Sequence, residues 1–184
     1  MRGALVAGVD ISTHAVTAAL LPLDPDQHVA AEFRHVRVRQ SKNPCERLRS
    51  VRDATHHALR DPDDGEVLEV YVERPPFFLA QKGRTELVEV YGAVVASTPR
   101  RVQRVGGLEP QTWRSMVGLQ LHPADVLPRG KSRAGGWKRA AIRRVLDQAL
   151  VPADYPLSDH EAEAVLVAIA GRGLHWQAHN PKEA

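Results

Sequence analysis

Two apolar runs, each ending in a carboxylate, constrain this chain more than any other feature. Residues 4–10 (Ala-Leu-Val-Ala-Gly-Val-Asp) read as a buried strand that ends on Asp10. Val67 to Glu73 read as another, ending on Glu73 and stopped at once by Pro75-Pro76.

The segments between and after them fill in a pattern. Ser12-Thr13-His14 supplies a turn, and Ala15 to Leu23 reads as a strand paired with the first. Pro22, Asp24, Pro25 and Asp26 mark the next turn. From His28 to Arg39 apolar and polar residues roughly alternate, as in a half-exposed third strand. Asn43 as N-cap and Pro44 at the first helical position open a helix that Asp61-Pro62 ends, with Leu48, Val51, Ala54 and Leu59 near one face. Helices are predicted over Thr85–Ser97, Glu109–Leu119, Trp137 to about Leu150, and Ser158–Ala170 with Gly171 near its end. A short strand is predicted at Arg101–Val105, and a basic loop around Pro128 to Gly136. The order predicts an α/β fold, a mixed five-stranded sheet flanked by helices.

The 184 residues suffice for one domain, predicted over 1–172, with a polar tail over 173–184. No apolar run reaches the roughly 18 residues of a membrane span, and Asp10 interrupts the first run too early for a signal peptide, so a cytoplasmic protein is expected. The single cysteine, Cys45, excludes an internal disulfide and a thiolate zinc site, and is expected to pack within its helix. Net charge is +3, but Thr98 to Arg144 holds eleven Lys or Arg against Glu109 and Asp125. A basic block beside a more acidic remainder suits a nucleic-acid surface next to a cation site.

Four positions carry the candidate chemistry. Asp10 and Glu73 close their strands, while His160 and Glu163 stand three apart in the first turn of the last helix and so share a face. Asp159 is a further candidate, as ligand or as partner of the helix N-terminus. Carboxylates gathered about 4 Å apart repel by roughly 4 kcal/mol at an effective dielectric of about 20. A divalent cation reverses that cost. Hard oxygen donors suit Mg²⁺ or Mn²⁺, two of which can support in-line displacement at a phosphodiester, and the softer His160 favours tolerance of Mn²⁺. Read singly, each acid also has a plainer role: Glu73 paired with Arg74, or Asp159, Glu161 and Glu163 complementing the helix dipole.

These residues resemble the RuvC family of Holliday-junction resolvases, especially its divergent bacteriophage forms. Gly8-Val9-Asp10-Ile11-Ser12-Thr13 looks like the family's first catalytic strand. Val72-Glu73 followed by Phe77-Phe78-Leu79-Ala80-Gln81-Lys82 is similar to its second motif, a catalytic Glu with an aromatic soon after. His160-Glu161-Ala162-Glu163-Ala164-Val165-Leu166-Val167-Ala168 looks like the last motif, two metal ligands three apart opening an Ala-rich helix. The resemblance implies a ribonuclease H-like fold, a homodimer, two divalent ions per active site held by Asp10, Glu73, His160 and Glu163, and paired nicking of a four-way DNA junction. The last motif often carries two Asp where this chain has His160 and Glu163.

On that reading Phe77 or Phe78 matches the junction-stacking aromatic, with core packing as the alternative. Lys82, Arg114, Lys131, Arg133, Lys138 and Arg139 are the candidate DNA contacts, the last four flanking Gly130, Gly135 and Gly136, which would let phosphates come close. Trp113 and Trp137 are expected in the core, and Gly92 is expected to let its helix pack closely on the sheet or on a partner subunit. Two other functions stay open: a YqgF-type nuclease acting on RNA, and a junction-binding relative without catalysis. The first motif also looks like the first phosphate loop of actin-like sugar kinases, which need a second such loop and a second domain.

Overall fold

A computed structural model describes residues 3–27, 30–62, 65–75, 81–122, 125 and 133–180. Its elements are β1 (Gly3–Ile11), β2 (Ala15–Pro22), β3 (Glu32–Arg37), α1 (Pro44–Ala58), β4 (Gly65–Glu73), α2 (Gln81–Ser97), β5 (Arg104–Leu108), α3 (Pro110–Met116), α4 (Arg133–Asp147) and α5 (Asp159–His179).

The strands form one sheet in the order β3-β2-β1-β4-β5. β1 pairs antiparallel with β2 and parallel with β4, so the sheet is mixed as predicted. The central strands read as apolar runs because both of their faces are covered. Val6, Ala19, Leu21 and Tyr71 pack with α3, α4 and α5, while Ala7, Val9, Val16, Ala18 and Val72 pack with α1 and α2. Edge strand β3 is half-covered, with Phe33, Arg34 and Val36 partly buried and Glu32, His35 and Arg37 exposed.

A β-bulge interrupts the β1–β4 ladder: Leu5 pairs with Val67 but Val6 pairs with Glu69, leaving Leu68 as an extra residue. Val67 and Val70, an odd number of residues apart, consequently bury on the same face.

Helix α1 starts as its sequence predicts, with the Asn43 side chain accepting from the Cys45 amide at 2.9 Å and Pro44 in the first turn. Cys45, expected to pack, is exposed.

Several boundaries differ from expectation, α2 starting four residues early at Gln81 and α3 ending at Met116, and those of β5, α5 and α4 have visible causes or consequences. β5 begins three residues later than predicted, at Arg104, because Val102 closes a turn onto Pro99. Gly106 inside it is a niche for Tyr71, whose Cδ1 would lie 2.7 Å from any added Cβ. α5 runs through Gly171 to His179, well beyond Ala170 and into the segment read as tail. Gly171 takes the other side of the Tyr71 ring, so it is a packing site and not a stop signal. α4 begins at Arg133, before the predicted Trp137. Gly136 lies inside it, 2.9 Å (at a Cβ) from the Asp125 carbonyl, so it serves helix packing and not an approach to phosphate. Gly92 meets nothing within 4 Å, which removes the expected close packing on the sheet.

Among the described residues, no helix is long and apolar enough to cross a membrane.

Candidate functional site

The site is built where α5 crosses β1. A Cβ on Gly8 would collide with the Ala164 carbonyl oxygen and the Ala168 amide nitrogen, so strand and helix backbones touch. Only glycine allows this approach, and it brings the first turn of α5 over Asp10, two residues further along β1. That turn is held by a capping box: the Ser158 hydroxyl accepts from the Glu161 amide, and the Glu161 carboxylate accepts from the Ser158 amide at 2.9 Å. Tyr155 donates to Glu161 as well, at 2.9 Å.

The three acids of this turn separate into different roles. Glu161 caps the helix. Asp159 pairs with Lys138 of α4, and although burial opposes it, that bond holds the Asp159 carboxyl below its ordinary range. Glu163 points inward and is 7% exposed, which rules out a purely surface role beside the helix dipole.

Asp10, His160 and Glu163 each present one ligand atom, all within 4.8 Å of one another. His160 Nδ1 lies 2.5 Å from Asp10 Oδ2, and that bond raises the imidazole pKa above its usual value against the effect of partial burial. Burial first, and the Asp10 charge second, push the Glu163 pKa up to about 7.

Glu73 is not in this three-residue group but adjoins it. It stands one residue past the Val9–Val72 pair, on the parallel neighbour of the strand that bears Asp10. Burial, then the charges of Asp10 and Glu163, raise its pKa well above the ordinary carboxylate value. Trp113 faces it and draws the pKa back slightly, yet the two fall short of a hydrogen bond, and Glu73 Oε2 and Trp113 Nε1 are both buried without a partner. Arg74, the alternative partner suggested by the sequence, instead bonds Tyr91. A buried carboxylate oxygen left unsatisfied is costly and is a natural position for a ligand.

The donor set, three carboxylates and one imidazole, suits a divalent cation of the Mg²⁺ or Mn²⁺ kind. The unsatisfied Glu73 oxygen and the upward shifts of Glu73 and Glu163 are what such a set shows when its charges lack a counter-ion.

Two candidate DNA contacts lie at this site. Arg114 sits 5.0 Å from the ring centres of both Trp113 and Trp137 and reaches Glu163 at 3.6 Å. Lys138 is engaged with Asp159. Of the tryptophans expected in the core, Trp113 is fully buried and Trp137 packs against the same cluster. Arg139 turns away, donating to the Asp125 carbonyl, next to the Arg143–Asp125 ion pair at 2.5 Å. Lys82 and Arg133 fall in the first turns of α2 and α4, with side chains outside the described part, and Phe77, Phe78 and Lys131 lie outside the described residues. The Trp113 indole facing Glu73 and the His35 ring near His160 were not anticipated; a lone tryptophan or histidine carries no spacing signal that would reveal either.

No protein-family model and no curated protein matches the chain. Among solved structures it is similar to RuvC of Thermus thermophilus in complex with Holliday junction substrate, at 14% identity and a TM-score of 0.64 over 95% of both chains. It is also similar to Ydc2, the yeast mitochondrial Holliday junction resolvase, at 10% identity and a TM-score of 0.56, over 100% of this chain and 87% of that one. The fold is therefore the ribonuclease H-like fold of these proteins.

Proposed function

We propose that this chain, which shares its fold with RuvC, belongs with the resolvases as a divalent-metal-dependent endonuclease that cuts four-way DNA junctions. One observation carries the reading: Asp10, His160 and Glu163 converge within 4.8 Å, beside a buried Glu73 with an unsatisfied oxygen, where the strand ends of this fold meet α5. Asp10, Glu73, His160 and Glu163 would hold one or two ions. When bound, Mg²⁺ or Mn²⁺ supplies the positive charge on which in-line displacement at a phosphodiester depends.

The residues of the chain do the rest. Asp10 orients the His160 ring through a hydrogen bond at Nδ1. Glu163, whose pKa burial pushes up to about 7, is able to take up a proton near neutral pH, and Glu73 is shifted in the same direction. The stack of Trp113, Arg114 and Trp137 fixes a guanidinium at the rim, where it counters the charge of Glu163.

A four-way junction has two equivalent strands to cut, so paired nicking calls for two copies related by a two-fold axis. A homodimer is supported by α2, where exposed Val88 and open Gly92, four residues apart, leave an uncovered face.

The test is cleavage of a synthetic four-way junction, with linear duplex and folded RNA as parallel substrates. Junction cleavage that requires Mg²⁺ or Mn²⁺, stops in EDTA and disappears in Asp10→Asn is the expected result. Faster cutting of RNA would favour a YqgF-type activity, and junction binding without cleavage in either metal would overturn the enzyme.

A further inference from the structure

A cross-strand row runs from the acid site to the edge of the sheet. Asp10 on β1 pairs with Thr17 on β2, which pairs with His35 on β3, so the three side chains share the face that α5 covers. Thr17 is 1% exposed, and its Oγ1 lies 2.9 Å from His35 Nδ1. A buried hydroxyl that fails to donate is costly, so the satisfied arrangement has Thr17 donating to Nδ1. The neutral His35 ring then carries its proton on Nε2 and is a donor. This ring is exposed, and its centre is 6.5 Å from that of His160. Two residues along β3, exposed Arg37 shares the same face, about 6.6 Å further along the strand.

We propose that His35 and Arg37 form a phosphate-binding track on the edge strand, holding the successive backbone phosphates that flank the one lying over Asp10 and His160. The proposal rests on the nuclease reading and extends it. An imidazole N–H followed by a guanidinium, spaced along an extended strand, matches the repeat of phosphates in a nucleic-acid chain. The neighbouring acids Asp10, Glu73 and Glu163 repel a phosphate by themselves, so donors to one side of them are what keep the substrate strand in place.

The full chain is tested with a synthetic junction in which the phosphates flanking the cut are replaced, one at a time, by neutral methylphosphonate. Affinity is measured in Ca²⁺ and cleavage separately in Mn²⁺. For the parent protein, neutralising one flanking phosphate is expected to weaken binding about tenfold. His35→Ala and Arg37→Ala are expected to weaken binding to the unmodified junction by a similar factor, raising KM while kcat stays within about twofold. His35→Gln, which keeps an N–H donor, should recover part of the loss. The same neutral phosphate should then cost His35→Ala little more, because donor and acceptor form one contact. Unchanged affinity in His35→Ala, or losses that simply multiply, would overturn the track. Absence of cleavage by the parent speaks against the nuclease reading alone, since the affinity comparison still tests the track.

Discussion

Gly8 and Ala164 are in backbone contact: no side-chain atom fits between β1 and α5 at this crossing. The positions of Asp10 and of the His160–Glu163 turn thus follow from one glycine. Gly8→Ala is expected to destabilise the protein by about 3 kcal/mol, since the obstructing atoms belong to the helix backbone and cannot rotate aside. Urea denaturation measures this, and a loss below about 1 kcal/mol would show that the helix can move away freely.

The crowded carboxylates predict an unusual pH dependence. Glu163 rises from an ordinary 4.5 to about 7, so between those values the native state holds more protons than the unfolded chain. Stability therefore falls as pH rises across that window. His160 acts in the same direction, because its raised pKa gives stability below the unfolded value that is lost as pH passes the folded one. In EDTA the melting temperature should decline from pH 5 to pH 7.5, with Glu163 contributing on the order of 3 kcal/mol. Saturating Mn²⁺ should flatten the decline. A melting temperature that rises over this range in EDTA would contradict the site geometry.

Glu73→Gln separates structure from catalysis. The amide removes a buried charge repelled by Asp10 and Glu163, so the metal-free protein should melt higher than the parent at pH 8. Junction affinity should hold or increase, while the cleavage rate drops by at least about 10³-fold. Parent-like cleavage by this variant would remove Glu73 from the site.

His160 should set the metal preference. An imidazole is a softer donor than a carboxylate, so His160→Asp is expected to shift the ratio of Mg²⁺- to Mn²⁺-supported cleavage towards Mg²⁺. Rates in the two metals at equal concentration give the ratio, and an unchanged value would argue that His160 is not a ligand.

Much of the site is legible in the chain because its elements are local. Asp10 and Glu73 stand at the ends of apolar strands, and His160 and Glu163 share a helical face whatever surrounds them. What the sequence hides are relations made through space. Gly106 and Gly171 look like breakers until Tyr71 is seen lying between them. Lys138 looks like a free cation until Asp159 takes it, and Arg114 until Glu163 and two indoles do. His35 is one histidine among nine until strand pairing aligns it with Asp10.

The extra residue at Leu68 is absorbed inside the β1–β4 ladder, well before the strand end that bears Glu73. Val67 and Glu69 already stand opposite Leu5 and Val6, which are neighbours on β1, so deleting Leu68 would close the ladder and leave Glu73 beneath α5 with Asp10. Losing one residue between Glu69 and Glu73, past the bulge, would instead turn Glu73 to the α1–α2 side and put the thickness of the sheet between it and Asp10.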